Sequence, residues 1–404
     1  MTLFSNNQMR KRKKIAFVAN STWNIYNFRL VLLKAFIKQG FEVVVIAPID
    51  EYITYLNYTS GIRHIPIQRL SRKSTNPIKD IFLFRELRRI YKKENPDLII
   101  HYTIKPNIFG NLAAKVCMIP SVCVVTGLGY SFLKDGWIKK ITIALYRFSF
   151  KYSNKVVFEN KDDTQLFIDS KIAAAEKCIA VKGCGVNLNR FRPLPKQKYK
   201  DSIVFTFIGR LLYDKGIVEF VEAAKILKEK FSNVAFHVVG DIDVENPSFI
   251  PKTHLLNWID DKIIRYFGVT EDIRRFIKNS DCIVLPSYRE GMPRVVLEGM
   301  AMGRPIITTD TPGCRETVEV GVNGYLTPIK NVKDLAARME EFYHLNEYRK
   351  LAMGEKSYKR AVNEFDEKYI VKDYINIVNS ILNSTPSDIL KKNLSMNLNY
   401  IESE

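Results

Sequence analysis

The chain has 404 residues, 46% hydrophobic and 26% charged, long enough for two domains with separate cores and too apolar for a disordered protein. Its net charge of +19 is confined to one half: residues 1–199 hold 34 Lys and Arg against 13 Asp and Glu, the remainder 28 against 30. The six cysteines show no CxxC pair or metal-ligand spacing and mostly lie in apolar runs, which makes reduced, buried thiols in a cytosolic protein the expectation.

The basic run Arg10-Lys-Arg-Lys-Lys14 leads directly into Ile15-Ala-Phe-Val-Ala-Asn20. That apolar run is too short for a signal-peptide core and lacks a small-residue cleavage site. No stretch reaches the ~18–20 uninterrupted apolar residues of a membrane span, so the chain reads as neither exported nor integral. Val- and Ile-rich strands are predicted at 15–20, 41–47, 97–101, 121–126 and 155–159. Helices with apolar residues at three- and four-residue spacing are predicted at 28–38, 78–92, 107–116 and 138–152. Apolar strands alternating with helices imply a parallel sheet covered on both faces.

The Pro- and Lys-rich stretch 190–200 lacks periodicity and reads as a linker. The pattern then restarts, with strands at 203–208, 234–239, 263–267, 281–285 and 305–309 and helices at 217–230 and 295–302. The expected organisation is an α/β domain over 1–195, a second over 196–365, a helix at about 366–383 returning to the first domain, and a polar tail over 384–404.

Two segments of the second domain carry chemistry. Glu290-Gly-Met-Pro-Arg-Val-Val-Leu-Glu298 places two carboxylates around a turn and the first turns of a helix. A loop feeding a helix N-terminus is a ready anion site, and the carboxylates can accept from sugar and ribose hydroxyls. Phe207-Ile-Gly-Arg-Leu-Leu-Tyr-Asp-Lys-Gly216 sets Arg210 and Lys215 on a glycine-bounded loop, which suits a diphosphate. Alone it reads equally as a solvated loop. Together the two loops should open at the carboxyl edge of one sheet, where ligands bind.

The Glu-x7-Glu element, the Gly209-Arg-(x4)-Lys-Gly216 element, Val239-Gly-Asp241, Phe267-Gly268, Pro286-Ser-x-x-Glu-Gly291 and Gly303-x-Pro305 occur in the order of a known family. They resemble retaining glycosyltransferases of family 4, whose GT-B fold sets two Rossmann-like domains across a cleft. The resemblance implies an acceptor-binding first domain and a second domain that binds a nucleotide-sugar donor. It implies that Arg210 and Lys215 stabilise the leaving diphosphate, Glu290 contacts the donor sugar and Glu298 the ribose. Gly209, Gly291, Met292, Pro293, Arg294 and Val295 would line the diphosphate and sugar, and Gly268 would begin the base-contacting segment.

In the first domain, His101-Tyr-Thr-Ile-Lys-Pro-Asn-Ile-Phe-Gly110 and Thr126-Gly-Leu-Gly129 resemble elements of a subgroup that builds bacterial surface glycans on polyprenyl-diphosphate carriers. Thr126, Gly127 and Lys105 become acceptor-side candidates, and His101 either meets the donor sugar or is structural. Asn20 and Thr22 lie in the first strand-to-helix loop, which lacks the family's two glycines. Ser21, Thr22 and Asn24 either cap the helix or bind acceptor hydroxyls. Asn160, in Phe158-Glu-Asn-Lys-Asp-Asp163, is likewise an acceptor contact or a helix cap.

The resemblance makes the expected activity retaining transfer of an N-acetylhexosamine or related sugar, from a UDP donor, to a polyprenyl-diphosphate-linked sugar. A different hexose or a GDP donor is the alternative. No metal and no cofactor beyond the nucleotide sugar is expected, since no DxD-like pair is read in a loop between matching strands and no His/Asp ligand set recurs. The aromatic and basic segment 132–151, with the basic first domain, suggests an anionic membrane surface as partner, at the cytoplasmic face; a core helix with a basic outer face explains the same residues. A UDP-sugar epimerase would need more cleft histidines than this chain offers. Nucleic-acid binding lacks a matching motif.

Overall fold

The computed structural model describes residues 12–70, 76–128, 136–194 and 202–383. The expected tail 384–404, residues 195–200 of the expected linker, residues 132–135 of the aromatic segment and Gly129 lie outside them.

The first sheet contains β1 (Lys14–Val18), β2 (Glu42–Ala47), β3 (Ile62–Pro66), β4 (Leu98–Tyr102), β5 (Ser121–Val125), β6 (Lys155–Phe158) and β7 (Cys178–Ala180). All its pairings are parallel, in the order β3-β2-β1-β4-β5-β6-β7. The second contains β8 (Ile203–Ile208), β9 (Val234–Val239), β10 (Arg265–Tyr266), β11 (Cys282–Leu285), β12 (Ile306–Thr309) and β13 (Gly324–Thr327), also parallel, in the order β10-β9-β8-β11-β12-β13. Each sheet reverses its winding once, between β1 and β4 and between β8 and β11. Such switch points open a crevice at the carboxyl ends of the strands.

Strand alternation explains how the first sheet is covered. Ile15, Phe17, Leu98, Ile100 and Tyr102 face one layer, and Ala16, Val18 and Ile99 face Leu83, Leu87 and Tyr91 of the helix Pro77–Glu94. The first layer includes Ile370, Tyr374, Ile377 and Val378 of the helix Glu367–Leu382, which packs on the first sheet. Asp366 caps that helix, accepting from the Lys368 amide at 3.0 Å. Burying four such apolar side chains contributes several kcal/mol, at about 1.5–3 kcal/mol each.

The first helix spans Thr22–Lys38 and so begins earlier than the predicted residue 28. Ser21 caps it, its hydroxyl accepting from the Asn24 amide at 3.1 Å. A cap of this kind is worth about 1 kcal/mol. Strands β3, β7 and β13 and the helices Lys252–Asp260, Val332–His344 and Glu347–Glu364 were not predicted. β3 and β7 are short edge strands, half exposed, and offer no continuous apolar run. Among the described residues, no helix is long and apolar enough to cross a membrane.

Candidate functional site

The two loops singled out in the second domain follow β8 and β11, the neighbours at its switch point. They dock on each other through backbone. The Tyr288 amide donates to the Asp214 carbonyl at 2.9 Å, and the Ser287 hydroxyl donates to the same oxygen at 3.1 Å. Gly216 has φ +72°, and a Cβ there would stand 2.1 Å from the Pro286 carbonyl oxygen. Only glycine satisfies both conditions. This contact brings Lys215 to Glu290, and the ammonium donates to the carboxylate.

Arg210 lies on the same loop, half exposed and donating to Asp243 at 2.8 Å. Gly209 is packed beneath Gly240, whose added Cβ would meet the Gly209 carbonyl. Gly268 has φ +68°, open space beside it, and a carbonyl that accepts from the Gly240 amide at 2.9 Å. The carboxyl ends of β8, β9 and β10 are therefore joined around Gly209, Gly240 and Gly268.

The loop after β11 runs through Met292 and Pro293 into the helix Arg294–Ala301, which carries Val295 in its first turn. Glu298 is buried within that helix and pairs with Arg294 at 2.9 Å. Burial raises its carboxyl above the usual range, and the Arg294 charge opposes that rise. The Arg294 guanidinium also donates to the Asn27 carbonyl and lies 5.2 Å from the Phe28 ring centroid. Glu298 is thus linked through Arg294 to the first helix of the other domain.

The first domain meets this loop at the carboxyl ends of β5 and β6. A Cβ on Gly291 would stand 2.3 Å from the Thr126 carbonyl oxygen, and one on Gly127 (φ +116°) 3.0 Å from the Gly291 nitrogen. Asn160 caps the helix Lys161–Asp169 and donates across the seam to the Gly291 carbonyl at 2.8 Å. Asp163, fully buried, accepts from Arg289. Beside them Glu159 forms a buried ion pair with Arg29 at 2.7 Å, and that guanidinium lies 4.5 Å from the Tyr102 ring.

The other first-domain candidates are placed differently. His101 is fully buried on the sheet face covered by the helix Pro77–Glu94, its Nε2 3.0 Å from the Tyr91 hydroxyl. A Cβ on Gly110 would come within 2.7 Å of the ring. Burial pushes the imidazole down to about 3. Strand alternation turns the His101 side chain into the core. Lys105 donates to Asp80 at 2.6 Å. The Thr22 hydroxyl donates to Asp50, and Asn20 is half-buried at the end of β1.

Sequence reasoning missed Asp163, Arg289 and Asn107 as seam or support residues. Asn107, in the Lys-Pro-Asn element, clasps β5 by donating to the Val124 carbonyl at 2.8 Å and accepting from its amide at 3.2 Å. Thr103, just past β4, has φ +72°. That is strained for a β-branched residue, and such strain clusters at functional sites.

Residues 14–160 match the glycosyl transferase 4-like family and residues 192–360 the glycosyl transferases group 1 family. The chain is 31% identical over 385 residues to a Campylobacter jejuni N,N'-diacetylbacillosaminyl-diphospho-undecaprenol alpha-1,3-N-acetylgalactosaminyltransferase, covering 91% of this chain and 99% of the relative. It is 29% identical over 267 residues to the Escherichia coli UDP-Gal:alpha-D-GlcNAc-diphosphoundecaprenol alpha-1,3-galactosyltransferase, covering 63% of this chain and 68% of that protein. Its fold is similar to that of Anabaena HepE in complex with UDP and glucose, with a TM-score of 0.74 at 18% identity, covering 91% of this chain and 100% of the other. The sheets, the switch-point loops and these likenesses agree: the chain belongs to the group 1 and 4-like glycosyltransferases of GT-B fold, and is a hexosyltransferase.

Proposed function

We propose that this enzyme transfers an N-acetylhexosamine or related sugar from a UDP donor to a polyprenyl-diphosphate-linked sugar during bacterial glycan assembly. The observation that carries the donor site is the Lys215–Glu290 pair at the switch point of the second sheet. The substrate class is supported by the acceptor and sugar in the name of the Campylobacter relative and by the UDP in that of the Escherichia relative.

In this reading Glu290 leaves Lys215 to accept from a donor-sugar hydroxyl. Lys215 and Arg210 then face the diphosphate, whose negative charge grows as the bond from the sugar C1 to the β-phosphate oxygen breaks. The N-terminus of the helix Arg294–Ala301 adds its dipole to that stabilisation. Glu298 meets the ribose. The acceptor hydroxyl attacks C1 from the face that the phosphate leaves, and its proton passes to the departing phosphate oxygen, which retains the anomeric configuration. Cationic side chains and backbone dipoles supply the electrostatics, without a metal. With His101 buried in the core, the epimerase alternative has one fewer candidate acid–base histidine.

The same proposal seats the first domain on the anionic inner face of the cell membrane. On the helix Trp137–Phe150, Trp137, Ile141, Ala144 and Phe148 form an exposed stripe at three- and four-residue spacing, flanked by Lys140, Arg147 and Lys151. A stripe of this composition suits a lipid interface.

The test is nucleotide release by the purified protein across UDP- and GDP-sugars, with and without a polyprenyl-diphosphate-linked sugar. Release that needs one UDP-N-acetylhexosamine and the lipid acceptor is expected. Release with a GDP-sugar alone, or conversion of the donor without acceptor, overturns the proposal.

A further inference from the structure

We propose that Asn160 and Asp163 of the first domain are positioning residues for Glu290, gripping the residues on either side of it, Gly291 and Arg289. The proposal rests on the donor role given to Glu290 above and extends it. The donor loop would owe its working geometry to the acceptor domain.

The Asn160 and Asp163 side chains are committed to the grip. The Asn160 side-chain amide sends one N–H to the Gly291 carbonyl at 2.8 Å and the other to Asp163 Oδ2 at 3.0 Å. Its Oδ1 accepts from the Asp163 amide at 2.7 Å, which caps the helix Lys161–Asp169. Asp163 Oδ1 accepts from the Arg289 guanidinium, and the Asp163 side chain has no exposed surface. An amide has two donors, and both are used here. Asn160 therefore has no N–H left for an acceptor sugar.

The loop is held from its own domain as well. A Cβ on Gly313 would stand 2.3 Å from the Gly291 carbonyl oxygen, so the chain at Gly313 backs the carbonyl that Asn160 grips. Glu290 lies between two anchors in the first domain, and its carboxylate meets Lys215 in the second. A buried carboxylate held by a guanidinium and an amide is a rigid reference point, because removing either partner leaves a buried group unsatisfied. Misplacing a substrate-positioning group by about 1 Å costs on the order of 100-fold in rate. The grip has a purpose on that scale.

The experiment pairs hydrogen exchange with kinetics on the full chain. Asn160→Ser keeps a capping oxygen but cannot reach Gly291. Arg289→Gln removes the guanidinium of the other anchor, from a side chain that is partly exposed, and circular dichroism checks that the fold is kept. Arg289→Lys is the conservative rescue. Both disrupting variants should speed amide exchange at residues 288–292 while leaving the β-strands of both sheets protected. Turnover should fall roughly 10- to 100-fold with weaker UDP binding and an unchanged KM for the lipid acceptor, and Arg289→Lys should recover part of it. Unchanged exchange at 288–292 overturns the grip, whatever the substrate. A raised acceptor KM with unaltered UDP binding overturns it too, and makes Asn160 an acceptor contact. Faster exchange in a protein that transfers no sugar from any UDP donor upholds the grip and sinks the donor reading.

Discussion

Lys215 and Glu290, 75 residues apart in sequence, are joined as an ion pair by two loops that leave adjacent parallel strands. Both side chains are partly buried, 22% and 13% exposed, so each group keeps access to a ligand while holding the other. Lys215→Ala and Glu290→Gln should each lower kcat by about 10²–10³, the scale of losing one preorganised charge-stabilising group. Because the two act as a unit, the double variant should lose far less than the product of the single losses. Circular dichroism should show the fold intact. A near-normal rate in either single variant removes this pair from the donor site.

The pair was legible because its motifs are local. Phe207–Gly216 and Glu290–Glu298 each fit within one strand-to-helix loop, and the strands feeding them are short apolar runs. What stayed hidden depends on partners far along the chain. Asn160 reaches a carbonyl 131 residues away, and nothing beside Asn160 in sequence distinguishes a seam contact from a cap; it is both. Residues 22–27 read as a loop because their Trp, Asn and Tyr residues mask the helical period, which Ile25 and Arg29 satisfy by being buried. His101 was ambiguous because a strand-end side chain points to one face or the other. Only the close approach of Gly110 and Tyr91 decides it.

That burial gives His101 a signature in acid. Its imidazole is held near 3, below the ordinary 6.5, so the unfolded chain binds a proton the folded one refuses between those values. Stability from this residue is therefore complete above about pH 6.5 and falls with acidification, by at most about 1.4 kcal/mol per pH unit. His101→Gln should be less stable at pH 7.5 but should show a shallower loss between pH 6.5 and 4, read from urea midpoints. Turnover per folded molecule should stay close to wild type. A large drop in turnover with an unaltered pH slope would restore His101 to the reaction.

Gly291 sits on the seam between the two domains, and its missing side chain is what permits the contact with Thr126. A methyl group there would overlap the Thr126 carbonyl, backbone that has nowhere to move while β5 keeps its ladder. Gly291→Ala should therefore separate the seam without unfolding either sheet. Small-angle scattering should show a larger radius of gyration, and kcat should fall at least about tenfold, given the tolerance of catalytic geometry. Gly313→Ala, at the back of the same loop, serves as the comparison, because it displaces Gly291 from within the second domain. Unaltered scattering and rate in Gly291→Ala would mean the seam is looser than the contact implies.

The proposed seating on a membrane would have two physical contributions that respond differently to salt. Attraction of the basic first domain to anionic lipid is screened once the Debye length falls from ~10 Å at 0.1 M salt to ~3 Å at 1 M. Insertion of the exposed Trp137, Ile141 and Phe148 would be apolar and would resist salt. Vesicles with and without phosphatidylserine, sedimented at low and high salt, distinguish the two. Wild type should bind the anionic vesicles strongly at low salt and retain a smaller bound fraction at high salt. Replacing Trp137 and Ile141 by Ser should abolish that residue of binding and leave most of the low-salt binding intact. Replacing Lys140 and Lys151 by Glu should do the reverse. Equal binding to neutral and anionic vesicles by all forms would mean that neither the charge nor the stripe seats the protein on lipid.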